Sequence, residues 1–553
     1  MWSLRTDWAL QTPWVAVTIP FFLALGISTA LLLFAAQQKS SYLTLVGMTA
    51  HWALLYGVAL IAFRYGYGYD PIIHQAAERT VAEHGSIQPF QPFYIGQYSI
   101  VGALHALTRI PTDFIDRMLV PVFAITTLPT IIWYGLVRGY KIPSHAAALA
   151  VLALPIIPLS DLTYTVPYTL TVLYAIWFVF LLPVSIDSPL ARWTIAMIAI
   201  AAVVTHPLLG VPLLLLSLCV LISARIKQQK LLSLLLFFAI PTTLIGMFGI
   251  FRLLHEQSFF APWSISDFWT NAIVVFSMPY PFSEVAWYWK FLYQYEHYGL
   301  LIGLIIMGVI ALMKTKNGHD QRPLLALVAG MLVTVVLLPT LIAIPGVVEY
   351  EQYEFVLRLR DSIVLFLLPI LLVNIGMLLQ KTRSMLVRWA IIGAMGILTS
   401  IGFYLTYPQI NPVVQASGWN MGRHDIDAVQ AIEDDARGNR FVVIADQLLS
   451  AVALRERGFD QTLPTPQQGG IYPYAISPSE FLFPYREEIL YSQLRPDVVT
   501  GLFEYLDLEY VYVAVHEYWY RVDAIEQEII DASGEIMVGP AGVRLYRFQR
   551  APR

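Results

Sequence analysis

Long apolar runs separated by short polar breaks fill the first 405 residues of the chain. They lie near 13–36, 42–63, 116–137, 145–160, 168–186, 192–206, 209–224, 231–253, 298–313, 323–344, 363–380 and 386–406. A helix crosses the hydrocarbon core of a bilayer with roughly 20 apolar residues. The runs therefore predict a polytopic α-helical membrane protein with about twelve spans, the shorter ones tilted or merged. Residues 94–108 are also apolar but are broken by Gln97 and His105, so a re-entrant or interfacial helix is an alternative to a span there.

From Tyr407 the pattern changes. "RFVVIAD" is a short β-branched run, and "QLLSAVALRERGF" after it has helical spacing. "EYVYVAV" reads as a second strand, "AIEQEIIDASG" as a helix stopped by glycine, and "GVRLYRF" as a last strand. The alternation predicts a soluble α/β domain over 407–553, following a transmembrane module over 1–406. No glycine-rich phosphate fingerprint follows "VVIAD", which argues against a dinucleotide site.

Composition supports the membrane reading. Hydrophobic residues make up 57% of the chain and charged ones 13%, against about 25% charged in soluble proteins. The formal charge of −4 is unevenly spread. The tail holds 12 Arg, no Lys and 21 acidic residues, so it excludes nucleic acid and anionic membrane surfaces as partners. The single cysteine, Cys219, lies inside an apolar run and forms no intrachain disulfide. "MWSLRTDWALQTPW" lacks a basic leader and a small-residue cleavage site, so the first apolar run is expected to be a retained helix.

Basic linkers set the orientation. "RGYK", "RIKQQK", "KTKNGHDQR" and "KTRSMLVR" fall on alternate sides of successive runs and share one face, expected to be cytoplasmic. The opposite face then receives the loops 64–115, 161–167, 255–297 and 345–362, the tail and the N-terminus. This predicts a multi-pass plasma-membrane protein whose C-terminal domain is extracytoplasmic.

The candidate chemistry lies in those outer loops. "RYGYGYDPIIHQAAERTVAEHGSIQPFQPFYIGQYS" places Asp70, His74 and Glu78 at intervals of four, among tyrosines and phenylalanines. On a helix starting near Pro71, His74 and Glu78 share a face, and Asp70 is either an N-cap or a catalytic carboxylate. A carboxylate at the membrane mouth can deprotonate an acceptor hydroxyl or hold a divalent cation. Tyr94, Gln97 and Tyr98 are candidates to line the same cavity.

Arg358 and Arg360 stand just before an apolar run, where arginine either snorkels to the interface or grips a phosphate with its fork. Asp361 and Glu354 are their possible pairing partners. His206, at a break made by Pro207 and Gly210, is either a donor-site residue or bonded to a freed carbonyl. The aromatic loop 255–297 contains Asp267, Glu284, Glu296 and His297 as polar candidates. In the tail, Asp446 follows the first strand as a helix N-cap or functional group. His516, Glu517, Tyr518 and Trp519 follow the second strand, at the same edge if the two strands are parallel. Tyr518 and Trp519 there either stack on an acceptor or dock the domain.

An acidic residue in the first large outer loop of a many-helix protein, "GYDPIIHQAAE" here, followed by an α/β domain after the last span, resembles the GT-C superfamily of polytopic glycosyltransferases. That superfamily includes oligosaccharyltransferases, protein O-mannosyltransferases and lipid-linked arabinosyltransferases. The resemblance implies a polyprenyl-phosphate or diphosphate sugar donor, a glycan, lipid or protein acceptor, and surrounding membrane lipids as partners. It implies that Asp70 is the base or metal ligand, helped by His74 and Glu78. Arg358, Arg360 and His206 would hold the donor phosphate, and Tyr94, Gln97, Tyr98, Asp267 and Trp519 the sugar or acceptor. The family's paired acid is not present, since Asp70 is followed by Pro71 and Ile72. A Mg or Mn ion on Asp70 and His74 is the cofactor this implies. The competing readings are a lipid-linked glycan polymerase or ligase, a lipid or sugar transporter or flippase, and a non-catalytic receptor. Transport is disfavoured because the spans hold few charged residues.

Overall fold

A computed structural model describes residues 7, 9–38, 42–87, 94–223, 228–277, 285–294, 299, 302–303, 306, 322–345, 347, 351–382, 384–414, 420–465, 469–476 and 481–550. The first part of the chain is helical. In order its helices are α1 (Ile19–Gln38), α2 (Tyr42–Tyr56), α3 (Val58–Ala62), α4 (Asp70–His84), α5 (Ile95–Thr108), α6 (Thr112–Tyr134), α7 (Ser144–Ala153) and α8 (Pro167–Asp187). There follow α9 (Pro189–Thr205), α10 (Pro207–Ser223), α11 (Gln229–Leu254), α12 (Ile265–Phe276), α13 (Trp287–Gln294), α14 (Arg322–Leu341), α15 (Glu354–Lys381) and α16 (Met385–Thr406).

Among the described residues, six helices are long and apolar enough to cross a membrane: α1, α6 with its continuation to Gly139, α8, α11, α14 and α16. The twelve apolar runs therefore do not become twelve spans. Gly57 divides the second run into α2 and the five-residue α3. The fourth gives the ten-residue α7, which passes into a 3₁₀ turn at Leu154 and Pro155. Extended backbone at His206, followed by Pro207, separates α9 from α10, each 17 residues long. A proline removes an amide donor and disfavours helix in the residue before it, so these breaks are local in origin. The run at 298–313 lies largely outside the described residues.

The C-terminal part is α/β, as its pattern predicts. Its helices are α17 (Arg423–Ala436), α18 (Gln447–Arg457), α19 (Phe483–Tyr491), α20 (Pro496–Leu506) and α21 (Val522–Asp531). Its strands are β1 (Phe441–Ala445), β2 (Leu463–Thr465), β3 (Gly469–Ile471), β4 (Tyr510–His516), β5 (Glu535–Met537) and β6 (Val543–Gln549). The main sheet has the order β1-β4-β6-β5. β1 and β4 are parallel, with Ala445 opposite Ala514, and the other pairs are antiparallel. All five residues of β1 are buried, as expected for a strand covered on both faces. One face packs on Ala428, Ile432, Leu449 and Val452, and the other on Leu490, Leu502 and Ile525.

Helix α4 belongs to both parts. Its Ile72 is buried with Met421, Ala428 and Leu448 of the C-terminal core, while Gln75 and Glu78 reach the residues of α5 and α6. Arg79 donates to the carbonyl of Arg455 at 2.8 Å, and Arg455 pairs with Asp113 at 3.2 Å. The backbone amide of Gly68 donates to Asn420, whose own amide donates to the carbonyl of Leu10. Asp7 accepts from the amide of Arg423 and pairs with Arg64. The N-terminal segment, the loop carrying α4 and the C-terminal unit thus share one end of the helical bundle.

Candidate active site

Two glycines with left-handed backbone, Gly66 (φ 126°) and Gly68 (φ 89°), turn the chain sharply into α4. Asp70 stands in the first turn of that helix and Pro71 follows it, a favoured early helical residue. The N-cap position belongs to Tyr69, and no side chain caps the helix. Asp70 is therefore not used as a cap. Its carboxylate reaches Arg358 of α15 at 3.8 Å.

These two residues border a cavity of about 620 Å³. Asp161, Tyr164, Tyr168, Arg360 and Asp361 also line it, together with an apolar wall that includes Leu357, Val364 and Leu365. Arg358 is braced by Glu354 at 3.1 Å and lies over the Tyr168 ring at 5.6 Å. The Tyr168 hydroxyl donates to the Arg358 carbonyl at 2.9 Å. Arg360 is held differently: it donates to the carbonyl of Val275 at 2.7 Å and to Asp361 at 2.8 Å. Burial, helped by Asp361 and opposed by Arg358, pushes the Asp161 carboxyl up to about 7.

Four further candidates form an adjoining cluster that reaches the cavity through Tyr168. His74 Nδ1 is 2.9 Å from the Tyr98 hydroxyl. The His74 ring meets Tyr94 edge-on, and Tyr94 stacks on His206 with ring centres 5.8 Å apart. His206 meets Tyr168 at 5.5 Å. It is 4% exposed, and among the described residues its Nδ1 has no hydrogen-bond partner. Gly96 permits this packing, because a β-carbon there would lie 2.2 Å from Thr205 Oγ1. Burial, reinforced by Arg358 and opposed by Asp70, lowers His74 to about 4, so its ring is neutral.

Other candidates lie elsewhere. Glu78 and Gln97 are fully buried behind the cavity. Gln97 Nε2 donates to Glu78 at 2.8 Å and to Asp116 at 3.1 Å, and Gln75 donates to Asp116 at 3.0 Å. This network joins α4, α5 and α6 and does not reach Asp70. Burial and the neighbouring Asp116 push Glu78 well above the usual carboxylate range. Asp267 is exposed and accepts from the Ser264 amide at 2.7 Å, closing a capping box on α12. Trp519 is partly buried, donates to the Leu490 carbonyl at 3.1 Å and packs on the core of the C-terminal unit, away from the cavity lining. Glu284, Glu296 and His297 lie outside the described residues.

The expected metal site on Asp70 and His74 does not fit the geometry. His74 Nδ1 is engaged by Tyr98, Asp70 is paired with Arg358, and among the described residues no third acid or histidine brings a ligand atom to them. The group that does gather such atoms is buried in the C-terminal unit: His424, Asp425 and His516 are close enough to hold a metal ion.

Asp161, Tyr164 and Tyr168 line the cavity and were not singled out in the sequence, although the loop 161–167 was placed on the outer face. The signal of Asp161 is a carboxylate in "SDLTYTVPY", a short polar break between two apolar runs. Asp116 was missed too, although it stands in the charged segment "TDFIDR" at the start of the third apolar run. No family model matches the chain, and no curated protein matches it.

Proposed function

We propose that this chain is a membrane glycosyltransferase of GT-C type, using a polyprenyl-phosphate or diphosphate sugar donor and an extracytoplasmic acceptor. The observation that carries the reading is the meeting of Asp70, Asp161 and Arg358 in one cavity with an apolar wall. A prenyl chain suits the apolar side, and the phosphate suits the guanidinium fork of Arg358.

In this reading the acceptor hydroxyl oxygen attacks the anomeric carbon of the donor. Asp70 takes the hydroxyl proton, and the sugar–phosphate C–O bond breaks with its electron pair leaving on the phosphate. Arg358 stabilises the charge that gathers there. Tyr168 orients Arg358 from below. Asp161, titrating near neutrality, sets the charge the donor phosphate meets. No step is routed through a metal, since Asp70 and His74 do not form a ligand set.

The test is sugar transfer by purified Asp70→Asn protein from a polyprenyl-phosphate donor. The reading expects transfer to fall by about 10²–10⁴-fold, the usual contribution of a general base. Transfer at the wild-type rate would remove Asp70 from the mechanism.

A further inference from the structure

Outside the cavity, a group of ligand-type side chains lies at the carboxyl ends of β1 and β4. Asp446 follows β1 and His516 ends β4, and the parallel pairing brings both to one sheet edge. The first turn of α17 brings His424 and Asp425 to the same edge. Ligand-type atoms of His424, Asp425 and His516 all lie within 4.8 Å of one another, and the three residues are buried.

His516 and Asp425 are held from behind. Asp446 accepts from the Leu449 amide at 3.0 Å and from His516 Nδ1. That contact fixes the ring with Nε2 directed at Asp425. Metal-bound histidines commonly donate their second ring nitrogen to a carboxylate in this way, which sets the tautomer and raises basicity. Asp425 Oδ2 is fixed by the Gly422 amide at 2.7 Å and lies 3.6 Å from His424 Nε2. A tetrahedral ion about 2.0–2.2 Å from its ligands separates them by roughly 3.4 Å, close to the His424–Asp425 spacing, whereas His516 Nε2 and Asp425 Oδ1 lie 2.5 Å apart in a direct hydrogen bond that the ion would replace.

We infer that His424, Asp425 and His516 form a zinc site in the C-terminal unit, with Asp446 as the residue that positions His516. Two imidazoles and one carboxylate suit zinc, whereas calcium and magnesium take oxygen ligands. Three protein ligands leave one position for a water or substrate oxygen. The ion ties the first turn of α17 to the sheet. Gly422 next to that turn sits against the N-terminal segment, where a β-carbon would lie 2.6 Å from the Ala9 amide nitrogen. The inference is independent of the proposed transferase activity.

The experiment uses the full chain purified without added metal. Bound metals are counted by elemental mass spectrometry, and melting is followed before and after EDTA and after Zn²⁺ is restored. The expected results are about one zinc per chain, a lower melting temperature on chelation and its recovery with Zn²⁺. Co²⁺ loaded in place of zinc should give the visible absorption of a tetrahedral site. Asp425→Asn and His516→Gln should lose the metal, and Asp446→Asn should weaken its binding by about 10–100-fold. If the variants fail to fold, the chelation and Co²⁺ measurements on the unaltered protein decide. Protein that binds no zinc, and whose melting and Co²⁺ spectrum ignore added metal, would overturn the site. A proton would then bridge His516 to its two carboxylates.

Discussion

The Asp70 carboxylate and the Arg358 guanidinium meet at 3.8 Å, one from the first turn of α4 and the other from the second turn of α15. Neither is deeply buried, with side chains 49% and 35% exposed, so the pair itself adds little stability. Its importance lies in where it places the two groups, at the border of the cavity and free to be separated by a ligand.

Arg358 and Arg360 should behave differently when changed to lysine. Lysine keeps the charge but loses the fork that holds a phosphate with two bonds. Arg358→Lys should weaken donor binding on the order of tenfold, one or two charge-assisted hydrogen bonds. Arg360→Lys should affect donor binding less, because that guanidinium already serves Val275 and Asp361. Donor affinities measured for both variants check this, and the reverse ranking would reassign the phosphate site to Arg360.

In the proposed reading, Asp161 should make donor binding depend on pH. With its carboxyl at about 7, it is largely neutral at pH 6 and negative at pH 8. Ionisation adds a negative charge to the cavity proposed to receive the donor phosphate. Donor affinity should therefore fall as pH rises through about 7, by roughly tenfold for one pKa unit of coupling. Asp161→Asn should flatten the profile between pH 6 and 8. A wild-type affinity that rises over this window would contradict the assignment.

Burial of Glu78 predicts a second pH effect, on stability. Its folded value is raised, so folding favours the protonated carboxyl. The sign follows from linkage: stability is full below the unfolded value of about 4.3 and is lost as pH rises through the folded value. Glu78→Gln keeps an acceptor for Gln97 and supplies a permanent donor toward Asp116. Melting temperatures from pH 5 to 9 should fall for the wild type and stay flatter for Glu78→Gln. Parallel curves would remove Glu78 from the pH response.

Removing the chain from Tyr407 onward should cost both donor binding and transfer. Ile72 would lose the Met421 and Leu448 core, and Asp113 would lose Arg455. Helix α4, which carries Asp70, would then be covered on one side only. Retained donor binding with lost transfer would instead support an acceptor-binding tail.

Much of this site was legible because charged residues beside apolar runs are conspicuous. Asp70, Arg358 and Arg360 stood out in that way, and all three line the cavity. The α/β alternation after Tyr407 was equally readable, and the parallel pairing of β1 and β4 does place Asp446 and His516 at one edge. Asp446 is also the N-cap that its place after the strand suggests. Spacing failed where tertiary partners decide. Glu78 shares helical spacing with Asp70 and His74, yet Gln97 and Asp116 hold it in a separate buried network. Trp519 reads as a stacking or docking aromatic after a strand, and spacing could not show that its indole donates to the Leu490 carbonyl. Hydrophobicity alone also overstated the spans, because Gly57, Pro155 and Pro207 interrupt apolar runs without changing their polarity.

The most direct test of the central claim is a structure of the full chain with a polyprenyl-phosphate donor or a non-hydrolysable analogue. The account predicts the phosphate within hydrogen-bond distance of the Arg358 guanidinium, with the anomeric carbon between it and Asp70 and the prenyl chain along the wall of Leu357, Val364 and Leu365. A donor bound elsewhere, with the cavity between Asp70 and Arg358 holding no part of it, would contradict the account.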